Sequence, residues 1–338
     1  MNKGMLLKFF SIILLCITYS SCHKTKPPNE IDSSAKAELM AHIRFFASDE
    51  LKGRKVGRPE TKIAARYIAE QFRASGLKQF NLAPDYLQKT KFVIDGDNVK
   101  CNNVVGYLEG IKPNKRNEFV VLCAHYDHLG TMKCENSNCD SIYNGARDNA
   151  MGATALIYAA KELSKHAPER SVIFLATTAE ENGMVGSRYF VENCPISTED
   201  IVFVLNNDGG GFNTTTNIRI GGKNEILFQS NFWEVTTKYG IESLAYPAEL
   251  EYLYEKGDNI SFANKGIPSI TISPGFNKID KTILKYIHKP EDEASDDFDY
   301  DYLLKFSKCY CDIANEISNS EVIPDWNNGS KYSSSTNY

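Results

Sequence analysis

Apolar residues along this chain recur in two patterns that alternate after about residue 100. Between residues 36 and 77 the spacing is helical, with Ile63, Ala64, Tyr67, Ile68 and Phe72 returning to one face, as an amphipathic helix requires. Gly76, directly after Ser75, predicts the stop. From Asn103 to Leu108 and from Phe119 to Ala124 the apolar runs have strand length. A helix over 149–165, a strand over 171–177, a helix over 184–193 and a strand over 201–206 follow. A strand at 268–273 and a helix from about 300 to 318 complete the series. Strands alternating with helices predict an α/β fold, a largely parallel sheet covered on both faces. No low-complexity linker interrupts 36–318, so one domain is expected there. The Ser/Asn-rich stretch 319–338 reads as a poorly ordered polar tail.

The first 22 residues break this pattern. Lys3 and Lys8 precede an apolar run from Phe9 to Ile17, and small residues then lead to Cys22. That order is an export signal, too short to be a spanning helix. Ser20 and Ser21 before Cys22 resemble the bacterial lipobox, which predicts a lipid on Cys22, a membrane-anchored protein and a place in the cell envelope. Tyr19 departs from the leucine preferred there, so cleavage without lipidation stays open. The polar, Pro-containing stretch 23–35 reads as a tether. The net charge of −5 argues against a nucleic-acid partner, which calls for a basic face. Of nine cysteines, Cys134 and Cys139 could staple their polar loop in an oxidising compartment, while Cys123 sits inside an apolar strand as a small buried residue.

The chemistry gathers at strand ends. FVVLCA runs into His125 and Asp127, VIFLATTA into Glu180 and Glu181, and IVFVLNN into Asp208. Sites in open α/β sheets form beyond the carboxyl ends of the strands, so parallel strands would bring these groups to one edge. Imidazole nitrogen and carboxylate oxygen are zinc donors, and two zinc ions about 3.5–4 Å apart can share a carboxylate and a water. Asp148, where a polar loop enters a helix, could be the shared acid or an N-cap, a task Asn149 could also take. Asp127, two residues beyond His125 on the same face of an extended chain, is placed to orient the imidazole. Glu180 and Glu181 would point apart and take different tasks; spacing does not say which is base and which ligand.

These residues carry a resemblance. AHYDHLG (124–130), GARDNAMG (145–152) and TAEENGMVGSRYF (178–190) are similar to the signature blocks of peptidase family M28. Asn207-Asp208 and HKPED (288–292) resemble its last two metal-bearing segments, and SDELKGRKVGRPETKIAARYIAEQF its opening helices. The resemblance covers about residues 36–318. It implies an eight-stranded mixed sheet in a three-layer α/β/α sandwich, a peptide substrate and two zinc ions. By resemblance His125 and Asp208 hold one zinc, Glu181 and His288 the other, Asp148 bridges them, and Glu180 is the general base. The expected activity is that of an aminopeptidase.

Two segments depart from the family pattern. Gly257-Asp258-Asn259-Ile260-Ser261-Phe262 lacks the usual Ser-Asp-His, which leaves Asp258 a candidate substrate contact. Lys285-Tyr286-Ile287-His288 brings Tyr286 near the last ligand as a second candidate. Two other readings remain: a glutaminyl-cyclase-like acyltransferase with one zinc, and a binding module without chemistry. Asn149 and His128 stand where cyclases often show Gly and Ser, and the apparently complete ligand set speaks against the module. His128 itself reads as surface or substrate rim, and the acidic run Glu291–Asp301 as a solvated loop and helix start.

Overall fold

The computed structural model describes residues 28–333 except 95, 134–138 and 229–231, with side chains from residue 32. Cys22, the export signal, the first part of the tether and Cys134 lie outside the described residues. The main sheet has eight strands: β1 (Leu87–Ile94), β2 (Asp97–Leu108), β3 (Phe119–His125), β4 (Ser171–Thr177), β5 (Ile201–Asn207), β6 (Asn217–Gly221), β7 (Glu242–Ala245) and β8 (Ser269–Ser273). Their spatial order is β1-β2-β4-β3-β5-β8-β6-β7. The central strands β4, β3, β5 and β8 are parallel to their neighbours in that group. β1, β2 and the β6 pairing with β8 are antiparallel. The α/β sandwich is therefore mixed, with its parallel part at the centre.

Burial explains the centre. Every residue of β4 and all but the first of β3 is buried, the unbroken apolar run of a strand covered on both faces. Helices α1 (Pro28–Phe46), α2 (Pro59–Ala74), α3 (Met151–Lys165) and α5 (Tyr300–Asn319) cover one face, and α4 (Val185–Glu192) helps cover the other. In α2, Pro59 fixes the first turn, while Ala64, Ala65, Ile68 and Phe72 fall on the buried stripe. Gly76 ends it with φ of +75°, as expected from the sequence.

Three differences from the sequence reading have physical causes. The helical stretch 36–77 is broken, because Lys52 and Gly53 adopt left-handed backbone between α1 and α2. A Cβ on Gly53 would stand 2.4 Å from the carbonyl oxygens of Gly130 and Tyr143, so the chain can approach that loop only as glycine. Second, α1 starts at Pro28, inside the stretch read as a tether. Third, the tail is packed as far as Ser333. Trp326 and Tyr332 are buried, and the Trp326 indole N–H donates to the Gly266 carbonyl. Cys139 is disulfide-bonded, and Cys101, Cys123, Cys194, Cys309 and Cys311 are free. Among the described residues no helix is long and apolar enough to cross a membrane.

Candidate metal centre

The carboxyl ends of the parallel strands meet at one edge. β3 ends in His125, β4 leads through a turn to Glu180 and Glu181, and β5 is followed by Asp208. Asp148 joins them from the turn 146–150 that opens α3, and His288 from the loop before α5. His125 Nε2 lies 3.4 Å from Asp148 Oδ1 and 3.3 Å from Asp208 Oδ1. His288 Nε2 lies 3.1 Å from Asp148 Oδ2 and 3.5 Å from Glu181 Oε2. The two oxygens of Asp148 thus face two different imidazoles, which is the arrangement a shared carboxylate needs. Asn149 performs the capping role: its Oδ1 accepts from the Gly152 amide at 3.0 Å, leaving Asp148 for the cluster.

The charge balance fits divalent cations. Asp148, Glu180, Glu181, Asp208, Asp127 and Asp258 lie near the imidazoles of His125, His128 and His288, and two groups of three donors lie within 4.8 Å of one another: His125, Asp148 and Asp208, then His128, Asp148 and Glu181. Burial would raise the Asp148 carboxyl, but hydrogen bonds from His125 and His288 outweigh it and hold it well below the usual range. Burial would lower His125, yet the Asp208 and Glu180 charges push it well above its ordinary value. The hydrogen bond to Asp148 raises His288 to about 9. Nitrogen and oxygen donors of this kind suit zinc. Burial pushes the Glu180 carboxyl well up, against the pull of His125. This is the direction that keeps a carboxylate basic enough to take a proton.

Residues outside the predicted ligand set hold this cluster in place. Asp292 is fully buried and accepts from the backbone amides of Arg147 at 2.9 Å and Asp148 at 3.1 Å, and from Arg147 Nη1 at 3.0 Å. The acidic run 291–301 is thus not wholly a solvated loop; its second residue anchors the turn that carries Asp148. Arg54, also fully buried, donates to the carbonyls of Tyr126, Phe46, Asn144 and Gly145. It ties the His125 segment to the Asp148 turn. Burial lowers its pKa to about 10, while Asp127 and Asp148 pull the other way. Ala179, Met184 and His288, none of them glycine, have left-handed backbone, a strain that gathers at functional sites.

Four sequence expectations need correction. The Asp127 carboxylate stands 4.0 Å from His125 Nδ1, while its backbone carbonyl stands at 3.3 Å. The main chain, not the carboxylate, is therefore the near partner of the ring. Burial raises Asp127 to about 7, and its Oδ1 accepts from the Glu180 amide at 3.3 Å. Asp258 does not line the cavity. It is fully buried and accepts from the Thr177 hydroxyl behind the cluster. Tyr286 turns away to stack on the Arg147 guanidinium, 3.8 Å from the ring centre. His128, read as surface, is 1% exposed, and its Nδ1 is 2.7 Å from Glu181 Oε1.

A cavity of about 590 Å³ opens on the cluster. Asp148, Glu180, Glu181, Asp208 and His288 form one end. Tyr246, Leu253, Phe276, Ile283, Leu284 and Ile287 give the rest an apolar wall. Gly210 makes room for that wall, since a Cβ there would meet Ile287 at 2.5 Å.

Fold and site together define a three-layer α/β/α protein with a candidate His/carboxylate metal centre at the carboxyl edge of its central strands. The chain belongs to peptidase family M28, whose family model matches residues 103–314. It is 31% identical over 156 residues to a probable zinc metalloprotease of Pyricularia oryzae, a match covering 45% of this chain and 30% of that protein. The chain therefore spans less than a third of the length of that curated relative. Among solved structures, an aminopeptidase from Aneurinibacillus sp. strain AM-1 superposes with a TM-score of 0.63 at 13% identity, covering 87% of this chain and 97% of that one. A Bacteroides thetaiotaomicron glutaminyl cyclase bound to N-acetylhistamine superposes with a TM-score of 0.59 at 18% identity, covering 84% and 97%. At these identities the structural likeness shows the fold.

Proposed function

We propose that this protein is a zinc-dependent exopeptidase, an aminopeptidase that releases N-terminal residues from peptides. The observation that carries the reading is the Asp148 carboxylate, whose two oxygens face His125 with Asp208 on one side and His288 with Glu181 on the other. In this reading His125, Asp148 and Asp208 hold one zinc, and Asp148, Glu181 and His288 the second. Metal held there would supply Lewis-acid polarisation of a scissile carbonyl and a water acidic enough to act as a nucleophile near neutral pH.

The chain supplies the remaining work. Glu180, at the mouth of the buried cluster, accepts a proton from the attacking water and passes it to the leaving amine. The apolar cavity wall takes a substrate side chain and keeps bulk water from the proton transfer. Arg54 and Asp292 keep the His125 segment and the Asp148 turn in register while charge moves.

The test is hydrolysis of aminoacyl-p-nitroanilides and dipeptides by metal-stripped protein, then with zinc restored, beside Glu180→Gln. The expected result is zinc-dependent release that falls about 10²–10⁴-fold in the variant with zinc content unchanged. Zinc-loaded protein that cleaves nothing but cyclises N-terminal glutamine would replace this reading with the acyltransferase one.

We place the protein in the cell envelope, exported through its first 22 residues and held by a lipid on Cys22; the basic-apolar-small order of that segment supports this. Metabolic labelling with a fatty acid should mark the wild type and not Cys22→Ala. Equal labelling of both would remove the anchor from Cys22.

A further inference from the structure

His128 lies outside the ligand set proposed above, and its surroundings do not suit a residue of the rim. The imidazole is fully enclosed. Its ring packs close to Gly145, where an added Cβ would stand 2.5 Å from His128 Cδ2 and 2.6 Å from Cγ. Gly145 also has φ of +59°, so this position is closed to larger residues on two grounds. The other side of the pair is Glu181: His128 Nδ1 meets Glu181 Oε1 at 2.7 Å, while Glu181 Oε2 faces His288.

The hydrogen-bond inventory fixes the roles. His128 Nε2 is buried and has no partner. Nδ1 faces a carboxylate oxygen at 2.7 Å, and a carboxylate oxygen accepts, so Nδ1 carries a proton and donates to Glu181. One oxygen of Glu181 is occupied by this bond and the other is presented to the cavity.

We propose that His128 is the positioning residue of the second zinc site: its Nδ1–H occupies Glu181 Oε1, so that Glu181 offers the metal only Oε2, on the side of His288. The inference rests on the metal-centre reading above and adds what fixes the orientation of one of its ligands. Partners of ligating groups typically change metal affinity by about 10–100-fold when removed, because a free carboxylate must be ordered on binding. The His288 flank gives such ordering special weight, since the His288 side chain is half-exposed and gives the site little rigidity.

The test uses His128→Leu, which fills the volume without a donor, and His128→Asn, whose amide can place N–H where Nδ1 stood. Zinc binding to the purified chain is followed by competition with a chromophoric chelator and by calorimetry. Cobalt substitution reports each site through its visible absorption. The expected result is two zinc ions on the wild type, second-site affinity weakened about 10–100-fold in His128→Leu, and substantial recovery in His128→Asn. The cobalt band of the second site should change in His128→Leu while that of the first stays. Circular dichroism of the metal-free variants separates misfolding from loss of the site; if the Leu variant does not fold, the Asn variant is compared with His128→Gln, whose longer amide misses the Nδ1 position. Wild-type affinity in His128→Leu, or a folded His128→Asn no better than the donor-less variant, overturns the proposal. A wild type that binds no zinc fails the parent reading instead, and is recognised before any variant is made.

Discussion

The two flanks of the metal centre are built on different foundations. On one, His125 ends a strand paired on both sides by parallel neighbours, is 1% exposed, and has Arg54 tying the next residue to the Asp148 turn. On the other, His288 sits in a loop with φ of +53°, and half of its side chain is open to solvent. The first flank belongs to the buried core of the sheet. The second is carried by a loop at the cavity edge. A centre of this kind can keep one position almost preformed while the other remains responsive to metal.

Arg54→Met strikes the preformed flank hardest. It leaves four backbone carbonyls and a group of buried carboxylates without their cation, and should cost about 3–5 kcal/mol in chemical denaturation of the metal-free protein. A loss below about 1 kcal/mol would mean that the flank does not depend on this tie.

Next in size is the contrast between His125→Ala and His288→Ala. Removing His125 strips a buried partner from Asp148 and Asp208, with an expected loss of about 2–3 kcal/mol. His288→Ala should change metal-free stability by less than about 1 kcal/mol, because solvent already screens that group, while zinc binding at the proposed second site disappears. Equal stability losses in the two variants would erase the distinction between the flanks.

The smallest expected effect serves as a control away from both. His42 is buried against α2, with Nδ1 2.9 Å from the Tyr67 hydroxyl, and burial lowers its pKa below 6.5. A depressed histidine contributes stability that is present above its unfolded pKa and fades as pH falls through the folded one. Denaturation midpoints should therefore drop between pH 7 and pH 5 in the wild type, and less in His42→Gln. An identical pH dependence in both would remove His42 from the account. Zinc binding measured in the same variant should stay unchanged, which confines the effect to the helical layer.

Much of the fold was legible because the central strands are buried on both faces, and their apolar runs announce them. β4 matches the expected 171–177, and β5 differs from 201–206 by one residue. β1, β6 and β7 escaped notice for the opposite reason. Leu87–Ile94 buries polar Gln88 and Thr90 between exposed lysines, and Glu242–Ala245 is short and mixed; such strands are specified by their neighbours more than by composition. The convergence of His125, Asp148, Glu181, Asp208 and His288 was legible through strand ends and motifs. The tasks of Arg54, His128 and Asp292 were not. Each acts on partners between 8 and 145 residues away in sequence, and nothing in their local patterns marks them for burial. A lone arginine in a polar stretch or an acid in an acidic run looks solvated until the chain closes over it.

The segment Ile283–His288 is both a wall of the cavity and the source of His288. What the cavity admits and how firmly the proposed second metal is held are therefore traits carried by one short piece of chain. A change there that enlarges the cavity also moves an imidazole. Descendants of this protein would inherit the two traits together, and a shift in substrate preference would leave its trace in metal requirement as well.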